Sequence, residues 1–383
     1  MNASEKIENF IELCKKNPAQ RTNDWLEMKK STVGGSEMAA VFGLNPYCPV
    51  KTLVLTKSGI YSKPFDRSIK TSWGNLFERV CKSYFKIKYD ITVLADTVTY
   101  RRGDRISYSP DGLGVVNNLD QLNFITSELS PAEMPKTGVA LFEFKCPYSR
   151  VPTSQVPEYY TPQVKTGLNV IDAADFGIFA EFVFKACNFE DLHLENGTNS
   201  AITKRTMPIA IGFIIFYRNR IDIEPEEPEG EDDSSEYNHC GFIPDPIQNI
   251  QSVDDVKDLS KCNPDWLAEL MAAHEDGHIK TRYSKPIINT TSNPLNSIRL
   301  GVRSILRDNP GVYIIGALPW KLYSANMHLL KKDTKYLSEG ANKSMLDTFF
   351  KCVDECREFM RAWKGNNVPY ESIHGIYTEH YPQ

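Results

Sequence analysis

The segment Leu141-Phe142-Glu143-Phe144-Lys145-Cys146-Pro147 constrains this chain more than any other. A strand turns successive side chains to opposite faces, so Glu143 and Lys145 share one face while Phe142 and Phe144 take the other. A carboxylate and an ammonium on one face of an otherwise apolar strand cost burial energy unless a cation and an anion arrive to offset it. A divalent metal ion and a phosphate would supply both.

A second carboxylate has a route to the same place. Asp111 lies in Ser109-Pro110-Asp111-Gly112, a turn after the strand Ile106–Ser109. If that strand pairs with the one carrying Glu143, the two carboxylates converge. With the Phe144 carbonyl and waters they form an all-oxygen set suited to Mg²⁺, or Mn²⁺ in its place. Lys145 would then position a nucleophilic water or stabilise charge on the phosphate. Glu78, in Gly74-Asn75-Leu76-Phe77-Glu78, and Gln163, in Tyr159-Tyr160-Thr161-Pro162-Gln163, are polar groups on helices flanking these strands. Singly, Pro-Asp-Gly is a common turn and Glu-x-Lys a common exposed strand face; their order and apolar context set them apart.

The periodicity around them predicts an α/β fold. Apolar residues at helical spacing mark residues 1–30 (with a polar break before Trp25), 50–58, 72–88, 155–169 and 345–363. Strands are predicted over 91–102, 106–109, 139–145, 176–184, 209–217 and 313–320. Val33-Gly34-Gly35-Ser36 reads as a turn into a helix, with Ser36 at its N-cap, where free N–H groups would favour an anion. Residues 1–221 are expected to form the core, with an insertion over about 117–138. Residues 222–262 read as a disordered acidic loop and linker, and 263–383 as a C-terminal α/β extension packing on the core.

The net charge of −5 looks unsuited to nucleic acid, but Asp222–Glu236 holds nine acidic residues and no Lys or Arg; without it the chain carries a net +4. Local charge decides such contacts, so a basic groove is allowed. The nine cysteines are scattered, with no CxxC pair; they read as small apolar fillers of a reducing compartment, without disulfide or structural zinc. No membrane-spanning run or signal peptide is read, so an intracellular protein is expected.

Trp25–Leu44, Gly74–Glu78, Ser109–Gly112, Leu141–Pro147 and Gln163–Ala180 together resemble the phage lambda-type exonuclease, or YqaJ-like viral recombinase, branch of the PD-(D/E)XK nucleases. The resemblance implies a restriction-endonuclease-like core, a central mixed β-sheet flanked by helices, and a Mg²⁺-dependent exonuclease acting 5′→3′ on double-stranded DNA ends in recombination, repair or replication. By position, Asp111, Glu143 and the Phe144 carbonyl would be metal ligands, Lys145 the catalytic lysine, and Glu78 and Gln163 supporting groups. Lys29, Ser36 and Ser109 fall where the family holds a terminal 5′-phosphate. Lys29 replaces an arginine there and so offers a point charge rather than a fork. An acidic residue that some members carry before Ser-Pro-Asp-Gly has no match; Asp104 is out of register. The resemblance also implies a ring-forming homo-oligomer and a single-strand annealing or binding protein as partner. For a viral chain it implies work at the replication site in the host cytoplasm, or in the nucleus.

Two other readings compete: a structure-specific endonuclease of the same fold, and an inactive DNA-binding scaffold, against which the intact Asp111/Glu143/Lys145 set argues. His274-Glu275-Asp276-Gly277-His278 matches the HExxH zinc pattern, but Gly277 and the flanks do not continue a buried helix. Arg299, Arg303 and Arg307 share a helix face that reads as solvated, with a DNA-backbone contact as the alternative. The sequons at Asn196 and Asn289 mean little without a signal peptide.

Overall fold

A computed structural model describes residues 1–62, 68–193, 207–219, 253–288, 293–363 and 369–382. The acidic run 222–240 and both sequons lie outside the described residues. The chain opens with two helices, α1 (Ala3–Cys14) and α2 (Asn23–Ser31). Asn2 and Thr22 cap them by accepting from backbone N–H groups of their first turns, as N-caps do. Strand β1 (Val33–Gly34) leads through a 3₁₀ turn into α3 (Met38–Val41), then α4 (Val50–Lys57) and the long α5 (Ile69–Tyr89).

Next come β2 (Val93–Leu94), β3 (Tyr100–Arg102), β4 (Ile106–Tyr108), β5 (Gly112–Val116), β6 (Phe124–Ser127) and β7 (Gly138–Lys145). Helix α6 (Thr161–Val170) connects β7 to its parallel neighbour β8 (Phe176–Ala186), and β9 (Ala210–Asn219) follows. The remainder is α7 (Pro264–Glu275), β10 (Lys280–Tyr283), α8 (Pro294–Asp308), β11 (Val312–Lys331), α9 (Gly340–Ala362) and α10 (Tyr370–His380).

The main sheet has the order β10-β9-β11-β8-β7-β5-β2, with β6 also pairing parallel to β11. It is mixed, as expected, and helices cover both faces. On one face α5 and α7 bury Trp73, Phe77 and Phe85 against Phe142, Phe144, Phe182 and Phe184. On the other, α1, α6 and α9 pack Ile7, Phe10, Val164, Leu168 and Phe349 over Val139, Leu141 and Phe179. Each inner strand is therefore apolar on both sides, as the near-continuous hydrophobic runs of β7, β8 and β9 require. A separate three-stranded sheet, β1-β4-β3, flanks the site.

Four expectations change. The predicted strand 91–102 is two short strands in different sheets; Ala95 at φ 61° turns the chain between them. The strand before Asp111, β4, does not pair with β7; the one after it, β5, does, with Gly112 opposite Phe142. The stretch 117–138 contributes β6 and buries Leu119 and Leu122. Residues 263–383 supply β11, which lies between β9 and β8 inside the main sheet rather than packing onto it. That strand runs on to Lys331, past the predicted end at Trp320, because register shifts after Ile314 and Leu322 let it bend along both partners. Pro319 is accommodated because its carbonyl, accepting from Cys187 N at 3.1 Å, faces the end of β8, where the ladder stops and the missing N–H is least costly.

His328 on β11 is fully buried beside Phe179; its Nδ1 meets Thr126 Oγ1 at 2.8 Å and its Nε2 has no partner. Burial lowers its pKa below the ordinary 6.5. The native state thus binds this proton less readily than the unfolded chain, so His328 leaves stability intact above pH 6.5 and takes it away as pH falls below that value. Urea denaturation from pH 7.5 to 5.5 should show this loss, and His328→Gln should flatten it. A variant with the same slope as the parent would show that His328 does not carry the effect.

Candidate active site

Strand β7 places Glu143 and Lys145 on the face that packs against α6, while Phe142 and Phe144 point to α5, 5.0 and 5.6 Å from the Phe85 ring centroid. Glu143 is fully buried and Lys145 about one-fifth exposed, and the two form an ion pair. Gln163, at the start of α6, donates Nε2–H to Glu143 Oε1 at 2.5 Å, and Tyr108 of β4 donates its hydroxyl to Oε2 at 3.2 Å. Glu143 is thus satisfied by donors from three elements, as a buried carboxylate must be. Tyr108 was not anticipated from sequence: it belongs to the other sheet, and nothing local marks it.

Asp111 joins from the β5 side. Since β5 begins at Gly112 opposite Phe142, the edge of β7 beyond that point has no strand partner. Asp111 Oδ2 lies there, accepting from Phe144 N at 2.7 Å. A residue's N–H and C=O point to the same edge of a strand, so the Phe144 carbonyl faces this gap as well. Burial raises the Asp111 carboxyl well above its usual range, and the nearby Glu143 and Glu78 raise it further; Lys145 and the Phe144 N–H oppose them. For Lys145, burial alone would favour the neutral amine, but Glu143 and Asp111 hold it charged. Glu78 reaches the site through this field alone, because its carboxylate is paired with Lys82, which also binds Asp96 at 2.8 Å. Beside the site, the Cys81 and Cys146 sulfurs lie 3.3 Å apart, and burial pushes the Cys81 thiol up.

Lys29, Ser36 and Ser109 gather at a neighbouring corner. Ser109 shares a hydrogen bond with Thr99 Oγ1 (2.8 Å), which accepts from Trp25 Nε1 (3.0 Å), and the Lys29 ammonium sits 5.9 Å from the Trp25 ring. The turn Gly34-Gly35 presses against the same groups: a Cβ on Gly34 would lie 2.1 Å from Lys29 Nζ, and one on Gly35 2.3 Å from Tyr108 Cε2. Ser36 is exposed beside them. It is not an N-cap: Gly34 precedes the 3₁₀ turn, and Glu37 instead accepts from Gly34 N at 2.7 Å. Lys57, buried on α4, pairs with Glu37 at 2.8 Å and donates to the Lys29 carbonyl at 2.7 Å. Two cations share one carboxylate, so the corner keeps a net positive charge.

The motif set aside above and the arginine face read as solvated do not join this site. His274 ends α7, Gly277 leaves the helix at φ 84°, and both His274 nitrogens are engaged, with the Ile279 carbonyl and the Thr281 hydroxyl. Arg307 binds its neighbour Asp308 on an exposed face of α8. Among the described residues no three His, Cys, Asp or Glu side chains gather as a metal set, and no helix is long and apolar enough to cross a membrane.

Comparison with known proteins places these elements in a family context. The description of the YqaJ-like viral recombinase domain matches residues 24–174, which include every candidate residue above. A protein of African swine fever virus, strain Badajoz, is 31% identical over 242 residues, covering 60% of this chain and 70% of the relative. Its counterpart from the Tick/Malawi isolate of the same virus is 32% identical over 219 residues, covering 54% and 63%. Among solved structures, the crystal structure of LHK-Exo in complex with dAMP overlays with a TM-score of 0.29 at 15% identity, covering 42% of this chain and 74% of that one.

Proposed function

Because the chain belongs to the YqaJ-like viral recombinase family, we propose that it is a divalent-metal-dependent deoxyribonuclease that digests duplex DNA from its ends, 5′→3′, leaving single strands for an annealing protein to use in recombination or repair. The observation that carries this reading is the meeting of Asp111, Glu143 and Lys145 at the open edge of β7.

The donor set fits a hard cation. The carboxylate on β7 and the one just before β5 face each other's charge, one of them held back from ionising, and a main-chain carbonyl faces the same gap. A dication offsets that repulsion, and so few protein ligands suit Mg²⁺, which keeps several waters. Asp111, Glu143 and the Phe144 carbonyl would hold it; when bound it supplies positive charge that polarises the phosphoryl group and makes water more acidic. The remaining work falls to the chain's own groups. Lys145, kept protonated, offers a fixed positive charge to the phosphate as negative charge builds there. Gln163 and Tyr108 fix the rotamer of Glu143, so the carboxylate is preorganised rather than recruited. The Lys29/Ser36/Ser109 corner, net positive, would anchor the 5′-terminal phosphate and set the register of cutting.

The test compares an end-labelled linear duplex with a covalently closed circle, each with Mg²⁺ or with EDTA. Only the linear DNA with Mg²⁺ should be consumed, from its 5′ ends. Cutting of the circle would point to an endonuclease, and no cleavage with any divalent ion would leave an inactive DNA-binding scaffold. Binding gives a readout independent of turnover. At Mg²⁺ a hundredfold above its Kd, thermal unfolding should show about 2.7 kcal/mol of added stability. The double variant Asp111→Asn/Glu143→Gln should lose that gain; an undiminished gain would place the ion elsewhere.

A further inference from the structure

Two helices end at the basic corner of Lys29, Ser36 and Ser109: α2 just after Lys29 and Lys30, and α4 at Lys57. The last carbonyls of a helix have no partner within it, and they form the negative end of its dipole. A cation set between two such ends holds both. Arg357 is that cation. It comes from α9, in the C-terminal part of the chain and well beyond residues 24–174 of the family match. Its Nε and Nη2 donate to the Lys57 carbonyl at 3.1 and 2.7 Å, and Nη2 also donates to the Lys30 carbonyl at 2.9 Å.

The same stretch of α9 reaches a third piece of the corner. Asp354, one turn before Arg357, accepts from Arg105 Nη1 and Nη2 at 3.0 and 2.6 Å. Arg105 stands just before β4, the strand that leads to Ser109, and its carbonyl accepts from Val33 N of β1, the strand that leads to Ser36, at 2.8 Å. One turn of α9 therefore grips the chain segments that carry Lys29, Ser36 and Ser109. Neither Arg357 nor Asp354 has a task in the metal or phosphate chemistry above.

The consequence for Lys29 is direct. Its own carbonyl accepts from Lys57 Nζ at 2.7 Å, and the next carbonyl along, that of Lys30, accepts from Arg357. Lys57 is in turn tied to Arg357 through its own carbonyl. The turn that presents the Lys29 ammonium is thus fixed by two cations, one of which holds the other. A lysine at 357 would keep the charge but not the planar fork of donors that spans two carbonyls. Resting on the reading of this corner as the seat of the 5′-terminal phosphate, we infer that Arg357 is a positioning residue for it. By bridging the carbonyl ends of α2 and α4 it sets Lys29 where the phosphate arrives, which makes the C-terminal helix a determinant of end specificity.

The test is equilibrium binding in EDTA, by fluorescence anisotropy, of two blunt duplexes that differ only in carrying a 5′-phosphate or a 5′-hydroxyl. The parent should prefer the phosphorylated end, and Lys29→Ala should lose that preference. Arg357→Ala should weaken binding of the phosphorylated end by roughly tenfold, the worth of one hydrogen bond to a charged group, and leave the hydroxyl end little changed. Arg357→Lys should fall between parent and alanine variant, and it carries the comparison if the alanine variant does not fold. Lys29→Ala/Arg357→Ala should discriminate no worse than Lys29→Ala alone, because residues acting through one contact are not additive. Phe349→Leu, on the buried side of the same helix, should lower the thermal midpoint yet keep the full preference. Far-UV circular dichroism checks each fold. Parental preference in Arg357→Ala or in Arg357→Lys, an equal loss on both ends, a further loss in the double variant, or a Phe349→Leu protein that discriminates as poorly would each overturn the inference. A parent that cleaves linear DNA but binds both ends alike removes the phosphate corner and this inference with it, and leaves the nuclease reading standing. One that discriminates through Arg357 yet cleaves nothing with any divalent ion removes the nuclease reading alone.

Discussion

Lys145→Ala should lower the initial rate of digestion of a linear duplex by about 10²–10⁴-fold, the range for losing a group that stabilises charge or handles a proton in the transition state. The substitution removes the cation paired with Glu143. Glu143 would keep its bonds from Gln163 and Tyr108 but stand charged in a buried place. Breaking a fully buried pair costs about 3–5 kcal/mol. Lys145 is partly exposed, so the cost here lies toward or below the lower end of that range. Because stability and chemistry change together, the rate is compared with Lys145→Met, which keeps the stem against Tyr160, and both are assayed at a temperature where circular dichroism shows them folded. If either folded variant retained more than about a tenth of the parent rate, Lys145 would have no part in the chemistry, since even one electrostatic donor is worth more than that.

What the sequence made legible is what has a short period or a fixed neighbour. Glu143 and Lys145 had to share a face because a strand alternates, and Phe142 and Phe144, on the opposite face, found α5 as their partner. Gln163 was readable because α6 joins two parallel neighbours, which brings its first turn back over the strand it left. The convergence of Asp111 was foreseen through the wrong strand: β4 belongs to the small sheet, and β5, beginning one residue after Asp111, makes the pairing. The partners not foreseen are distant in sequence or on another layer. Tyr108 reaches Glu143 from the second sheet, and Lys57 meets Glu37 across twenty residues. The long β11 was hidden because register shifts interrupt its alternation and a proline sits in its middle. Ser36 failed as a cap because the turn before it is closed by Glu37 reaching back to Gly34, so the serine is left exposed, where a ligand rather than the helix would use it.

The same layering makes Gly167 the position where stability and chemistry are most tightly joined. It sits in α6, four residues and so about one turn after Gln163, on the same side of the helix. A glycine inside a helix ordinarily costs about 1 kcal/mol relative to alanine, so propensity alone would predict that replacing it helps. Packing decides otherwise: a Cβ at this position would lie 2.4 Å from Tyr108 Cζ, 2.7 Å from its hydroxyl and 2.6 Å from Leu141 Cδ2. Tyr108 on β4 and Leu141 on β7 are both buried, so neither ring nor leucine can swing away freely, and α6 itself must lift. In Gly167→Val the overpacking should cost about 1–3 kcal/mol or more, read as a lower urea midpoint with an unchanged m-value. Lifting α6 also draws Gln163 from Glu143 and turns the Tyr108 hydroxyl off its other oxygen, and a displacement near 1 Å in such a constellation costs about 10²-fold in rate. The rate should fall in the fully folded variant, well below its denaturation midpoint. Were Gly167→Val as stable as the parent, α6 would not press on Tyr108 as described. If it were destabilised yet cleaved DNA normally, Gln163 and Tyr108 would not be what positions Glu143.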